Sequence, residues 1–185
     1  MKKMRLYIGL MILALLLVGG GVWGLLNSQP RIQIPEDSPV IAMELDFVMG
    51  GASHKLYLYD DGAVLYIEEK NLRMPTPESP PTRVWSQGQI QAEELNSILR
   101  LFQTDEFAEL DEEYNWEARQ TSDLLLTISV HYQKVGKTVL ASGYLSPDEG
   151  LTYPDMPYPL NERYKRLRVV IDDNIQEVYQ EPIRD

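Results

Sequence analysis

His54 and His131 are the two imidazoles of this 185-residue chain. An imidazole does metal or acid–base chemistry only where further ligands or an orienting carboxylate stand with it. His131 falls in the middle of an alternating run, with no His, Asp or Glu at ligand spacing, and His54 precedes a run of strand formers. Both read as structural, and no metal site or cofactor is expected. The serines lie in neither a GxSxG elbow nor an SxxK motif, so the usual geometry for a nucleophilic hydroxyl is missing. Gly50 and Gly51 make no phosphate cradle, and the GKT at Gly136–Thr138 lacks the earlier glycine of a P-loop. There is no cysteine, which removes disulfides, thiolate metal sites, a Cys nucleophile and a lipid-modified cysteine.

Carboxylates are the abundant chemical groups. A glycan or peptide hydrolase needs two of them across a cleft, one with a raised pKa. The runs Asp105 to Glu113 and Asp172, Asp173 read first as solvated helix or loop faces. Asp60, Asp61 and Gly62 lack the alternating ligands of a calcium loop and suit a hairpin turn. Aromatic rings beside prolines are the more specific signal: Trp85, Trp116, Tyr153 and Tyr158 lie in or beside loops and are the candidate partner-binding residues. The competing reading is that these loops fold back and bury the rings.

Such groups need a scaffold, and the hydrophobic pattern supplies one. Met43, Leu45 and Phe47 alternate with Glu44 and Asp46, as in a half-buried strand. Lys55 to Tyr59 and Ala63 to Glu68 flank the Asp-Asp-Gly turn as a hairpin, with large side chains on both faces. Residues 71–83, with prolines at 75, 77, 80 and 81, read as a surface insertion or a polyproline-like docking arm, and as the cover for the hairpin's second face. Arg83 to Gln87 resumes the sheet. Leu95, Ile98, Leu101 and Phe102 share one face of an amphipathic helix over Ala92 to Phe102, and Asp105 to Leu110 adds a short turn. Leu124, Leu126, Ile128, Val130 and Tyr132 mark the most regular strand. Lys134, Val135 and Gly136 turn it into a partner over Lys137 to Tyr144. After a second proline-rich loop at 146–159, Tyr164, Leu167, Ile171, Ile175 and Val178 predict a helix from about Asn161 to Tyr179. The expected fold class is α+β: an N-terminal transmembrane helix, then an antiparallel sheet with two helices packed on one face.

Residues 1–26 carry the placement signal. Leu6 to Leu26 is uncharged, and its 21 residues span about 31 Å as a helix, near the thickness of a bilayer core. Lys2, Lys3 and Arg5 precede it, so the amino terminus is expected in the cytoplasm and the rest outside, in the periplasm or extracellular space. Cleavage near Gly19 to Gly24, releasing a secreted protein, is the alternative. Residues 27–40, with three prolines, read as an extended linker, and 41–185 as one acidic extracytoplasmic domain. Beyond Arg5, 14 basic residues face 28 acidic ones, which disfavours nucleic acid and anionic lipid headgroups as partners.

The order of DDGAVLYIEE, EELNSILRLF, Phe107 with Leu110, SDLLLTISV, KTVLASGY and YPDMPYPLNERYKRLRVVI resembles uncharacterised bacterial membrane-anchored or exported domains of unknown function. That resemblance spans roughly residues 42 to 179. It implies architecture and placement and carries over no catalytic residue. The function expected is therefore a membrane-tethered, non-catalytic binding or accessory module. Its partners would be the membrane, through the N-terminal helix, and a protein or glycan of the envelope. The alternative is an envelope glycan or peptide hydrolase using paired carboxylates.

Overall fold

The computed structural model describes residues 32–47, 51–73, 75–114, 124–146, 150–152 and 156–183. Alternation of apolar and polar residues builds the first strand, β1 (Ile41–Phe47), where Ile41, Met43 and Leu45 are buried and Ala42 and Glu44 are not. β2 (Ala52–Leu58), β3 (Ala63–Lys70) and β4 (Thr82–Gln89) follow as an antiparallel meander. The β2–β3 turn closes at Gly62, whose φ of 84° belongs to the region that favours glycine. Helices α1 (Ala92–Phe102) and α2 (Asp105–Ala108) come next, the second capped by the Thr104 hydroxyl accepting from Phe107 N–H. A two-residue strand, β5 (Glu113–Tyr114), precedes the hairpin of β6 (Leu124–Tyr132) and β7 (Val135–Ser146). The short β8 (Gly150–Thr152) pairs with β7, then α3 (Tyr158–Asn174) runs directly into β9 (Ile175–Pro182).

These strands form one sheet in the order β5-β7-β6-β1-β2-β3-β4-β9, with β8 joined to the end of β7. The pairs are antiparallel except β5 with β7, which is parallel. On the inner face, Ile41, Met43, Leu45, Leu56, Leu58, Leu126 and Ile128 pack with Leu95, Ile98, Phe102 and Phe107 of α1 and α2 and with Leu160, Leu167 and Val170 of α3. The outer face carries a smaller apolar cluster of Tyr59, Leu65 and Ile67, against which Ile32, Tyr57 and Trp85 pack.

The expected fold class is corrected by this arrangement. Among the described residues the sheet is mixed rather than wholly antiparallel, and three helices stand where two were expected. The final helix stops at Asn174, and residues read as its last turns pair with β4 instead. Ile175 and Val178 fit either period, and seven residue pairs with β4, interrupted only by the register shift at Val178, decide for the strand. The expected N-terminal transmembrane helix has no counterpart: among the described residues no helix is long and apolar enough to cross a membrane. The stretch Leu6 to Leu26 on which that expectation fell lies outside them.

Two local readings also change. The β6–β7 turn lies at Gln133 and Lys134, with Gln133 at φ 53°, and Gly136 sits inside β7 opposite His131. The proline-rich insertion is not a polyproline arm, because Thr76 and Ser79 bridge into a tight turn that the Asn71 side chain ties at Ser79 and Pro80. It is the segment entering at Ile32, not this insertion, that packs on the outer cluster.

The junction of α3 with β9 depends on a glycine. A Cβ at Gly88 would run into the backbone carbonyl of Asn174, which has no flexible side chain to yield. Gly88→Ala is expected to cost about 1 to 3 kcal/mol, the usual range for overpacking. Hydrogen exchange should show the loss concentrated in β9, and unaltered protection there would refute the close approach.

Candidate functional site

The outer face of β2, β3, β4 and β9 is the best candidate site, because the described helices α1, α2 and α3 pack on the opposite face and leave Arg83, Tyr179 and Glu181 partly exposed. Alternation places each group. Ile67 on β3 stands opposite Trp85 on β4, which stands opposite Tyr179 on β9. One pair along, Glu69, Arg83 and Glu181 form a parallel row. The β4–β9 register shifts between Trp85 and Ser86, a bulge that keeps this edge from continuing as a flat ladder.

The side chains in these rows hold one another. Trp85 Nε1–H donates to Glu181 Oε1 at 3.0 Å, and the Arg83 guanidinium lies 5.7 Å from the centre of the indole. Arg83 Nε donates to Glu69 Oε1 at 2.7 Å, and Lys55 Nζ approaches the other Glu69 oxygen at 3.8 Å. Glu69 is buried, so this pairing compensates a carboxylate that would otherwise be costly. Tyr57 Oη donates to Glu44 Oε1 at 3.2 Å, and burial followed by the charge of Glu44 pushes its hydroxyl up to about 12. Tyr179 is 40% exposed and ends the aromatic row at the sheet edge. It lines a surface groove of about 450 Å³ with Arg83, Glu181, Pro182 and Ile183.

A second groove of about 400 Å³ lies where residues 33–36 pass over β3 and β4. The Gln33 N–H donates to Gln87 Oε1 at 3.3 Å, and the Gln89 amide donates to the Asp61 carbonyl at 2.7 Å. Among the described residues its lining carries Glu36 and Asp61 and no cation, so a phosphate or sulfate would meet no opposite charge from them.

Of the sequence-predicted candidates, the two described ones, Trp85 and Tyr158, are not brought together. Trp85 is on the outer face, held by Glu181 and Arg83. Tyr158 is the first residue of α3, which packs on the opposite face, and it is 73% exposed. Trp116 and Tyr153 lie outside the described residues. Tyr179 and Arg83 were missed because the helical reading of residues 175–179 hid their neighbourhood. Among the described residues, no group of three or more His, Asp or Glu could hold a metal ion.

The inner face ends in a polar cluster that sequence spacing also concealed. His54 Nδ1 lies 2.6 Å from Tyr66 Oη, and its Nε2 lies 3.7 Å from Glu68 Oε1. Lys70 Nζ holds the other Glu68 oxygen at 2.9 Å. From α3, Arg168 comes close enough to Tyr66 Oη to favour its ionised form, and Asp172 lies 3.7 Å from Arg168. Burial nevertheless dominates at Tyr66 and pushes the phenol up to about 12. A phenol held so high is a poor nucleophile at neutral pH. Strand pairing of residues 54, 66 and 68 would have revealed this cluster, but only once the β2–β3 register was known.

No family model, no curated protein and no solved structure matches the chain.

Proposed function

We propose that this chain is a non-catalytic binding or accessory protein that works outside the cytoplasm and meets another protein through the outer face of β3, β4 and β9. The observation that carries the reading is the row Trp85–Tyr179 flanked by Arg83 and Glu181 at a sheet edge that no described element covers. Trp, Tyr and Arg are the side chains most often found to dominate protein contacts, and an indole already fixed by its hydrogen bond, as Trp85 is by Glu181, loses little entropy on binding. The basic flank and uncharged run of residues 1–26 support the location. The hydrolase alternative gains nothing from this face, since Glu69 and Glu181 both turn to Arg83 instead of facing each other across a cleft.

Tyr179→Ala tests the reading at small structural risk, because the ring is 40% exposed on an edge strand. Crosslinking in intact membranes is expected to lose the captured protein while the unfolding midpoint moves by less than about 1 kcal/mol equivalent. Undiminished capture by the folded variant would reject this face as the contact surface. Capture of a glycan instead would replace the partner class.

A further inference from the structure

The structure assigns to His54, Tyr66, Arg168 and Asp172 a second role: a proton-operated latch that ties the sheet to the end of α3 at neutral pH and loosens α3 and β9 in mild acid. Among the described residues the groups facing His54 are few. Phe47 of β1 packs its ring 5.1 Å away, Tyr66, Glu68 and Lys70 come from β3, and Arg168, paired with Asp172, comes from α3. With the ring neutral, its partners fix the tautomer. The Nε2–H points to Glu68, the bare Nδ1 accepts from the Tyr66 hydroxyl, and Arg168 stands on the far side of that oxygen.

A proton taken from solvent onto Nδ1 reverses the short bond. Nδ1 then donates to Tyr66 Oη, and the Tyr66 O–H must find another acceptor. Asp172, whose charge acts on Tyr66 and which pairs with Arg168, would have to turn to Tyr66 to accept it, and that engagement draws it from Arg168. The protonated ring also adds a third cation to Lys70 and Arg168, with Glu68 as the near counter-charge. Burial, the largest influence, holds the His54 pKa below its usual 6.5, with Glu68 opposing and Arg168 and Lys70 reinforcing. A histidine lowered in the folded state keeps its full contribution above about pH 6.5 and loses it as pH falls from there through the folded pKa. Because Asn174 is followed at once by Ile175 of β9, a loosened α3 end is transmitted to the strand that carries Tyr179 and Glu181. The latch stands whether or not that strand meets a partner.

Having only two histidines makes the test clean. Hydrogen exchange of the full chain, corrected for the intrinsic effect of pH, is followed from pH 7.5 to 5.5 in the parent, His54→Gln, His131→Gln and Tyr66→Phe. In the parent and in His131→Gln, protection over residues 166–182 should fall by up to about tenfold per pH unit below about 6.5. Protection in β6 should hold over the same range. His54→Gln should show no such fall, and Tyr66→Phe, which keeps the ring but removes the reversible bond, should show little. A full pH response in either variant overturns the latch. So does a parent in which α3 and β9 do not respond, or in which β6 opens with them.

Discussion

Ile128→Ala is expected to lower the free energy of unfolding by about 2 to 5 kcal/mol, the range for removing a large aliphatic side chain from a packed core. Ile128 is fully buried at the middle of β6, between Met43 on β1 and Val139 on β7, and it belongs to the main core cluster. Its neighbour Thr127 faces the other way, opposite Glu44 and Leu140. Thr127→Ala should therefore cost under about 1 kcal/mol, mostly lost strand preference. Denaturant unfolding of the two variants measures the difference, and equal losses would mean that the faces of β6 are exchanged.

Arg163→Ala is the second large effect, at about 2 to 4 kcal/mol. Arg163 is 4% exposed on α3, yet its guanidinium donates to the Thr104 hydroxyl at 2.7 Å and to the Pro159 carbonyl. It lies 5.9 Å and 5.3 Å from the ring centres of Phe102 and Phe107. Burial pushes its pKa down from the usual arginine value, with Glu106 opposing. This one side chain joins α3 to the corner between α1 and α2, and its loss leaves a hole beside two aromatic rings. Arg163→Met keeps much of the volume without the charge, so it should recover part of the loss. Thermal unfolding that shows Met as harmful as Ala would assign the effect to hydrogen bonding rather than packing.

Much of the framework was legible in the sequence because period and turn chemistry agree there. The alternation of Leu124 to Val130 and the Asp-Asp-Gly turn appear as read, and so does the stripe of Leu95, Ile98 and Phe102, except that Leu99 is buried with them where Leu101 was expected and Leu101 is only half-buried. Reading failed where short segments obey two periods at once. Ile175, Val178 and Tyr179 continue the α3 stripe in sequence, but a tertiary partner, β4, takes them as a strand. The two-residue β5 and the three-residue β8 have no period to detect. The candidate site was legible only at Trp85. Its neighbours Arg83, Tyr179 and Glu181 come together through pairing between residues nearly a hundred positions apart, and His54 meets Tyr66 and Glu68 through register rather than spacing.

The most direct measurement of the central claim is site-specific photocrosslinking in intact membranes, with a photoreactive phenylalanine placed singly at Tyr179 or at Val169. Both positions are exposed, at 40% and 38%, but Tyr179 lies on the edge strand β9 and Val169 on α3. A discrete protein adduct from position 179 and none from 169 is the predicted result. An adduct from 169 with none from 179 would move the contact to the helical side and contradict the account.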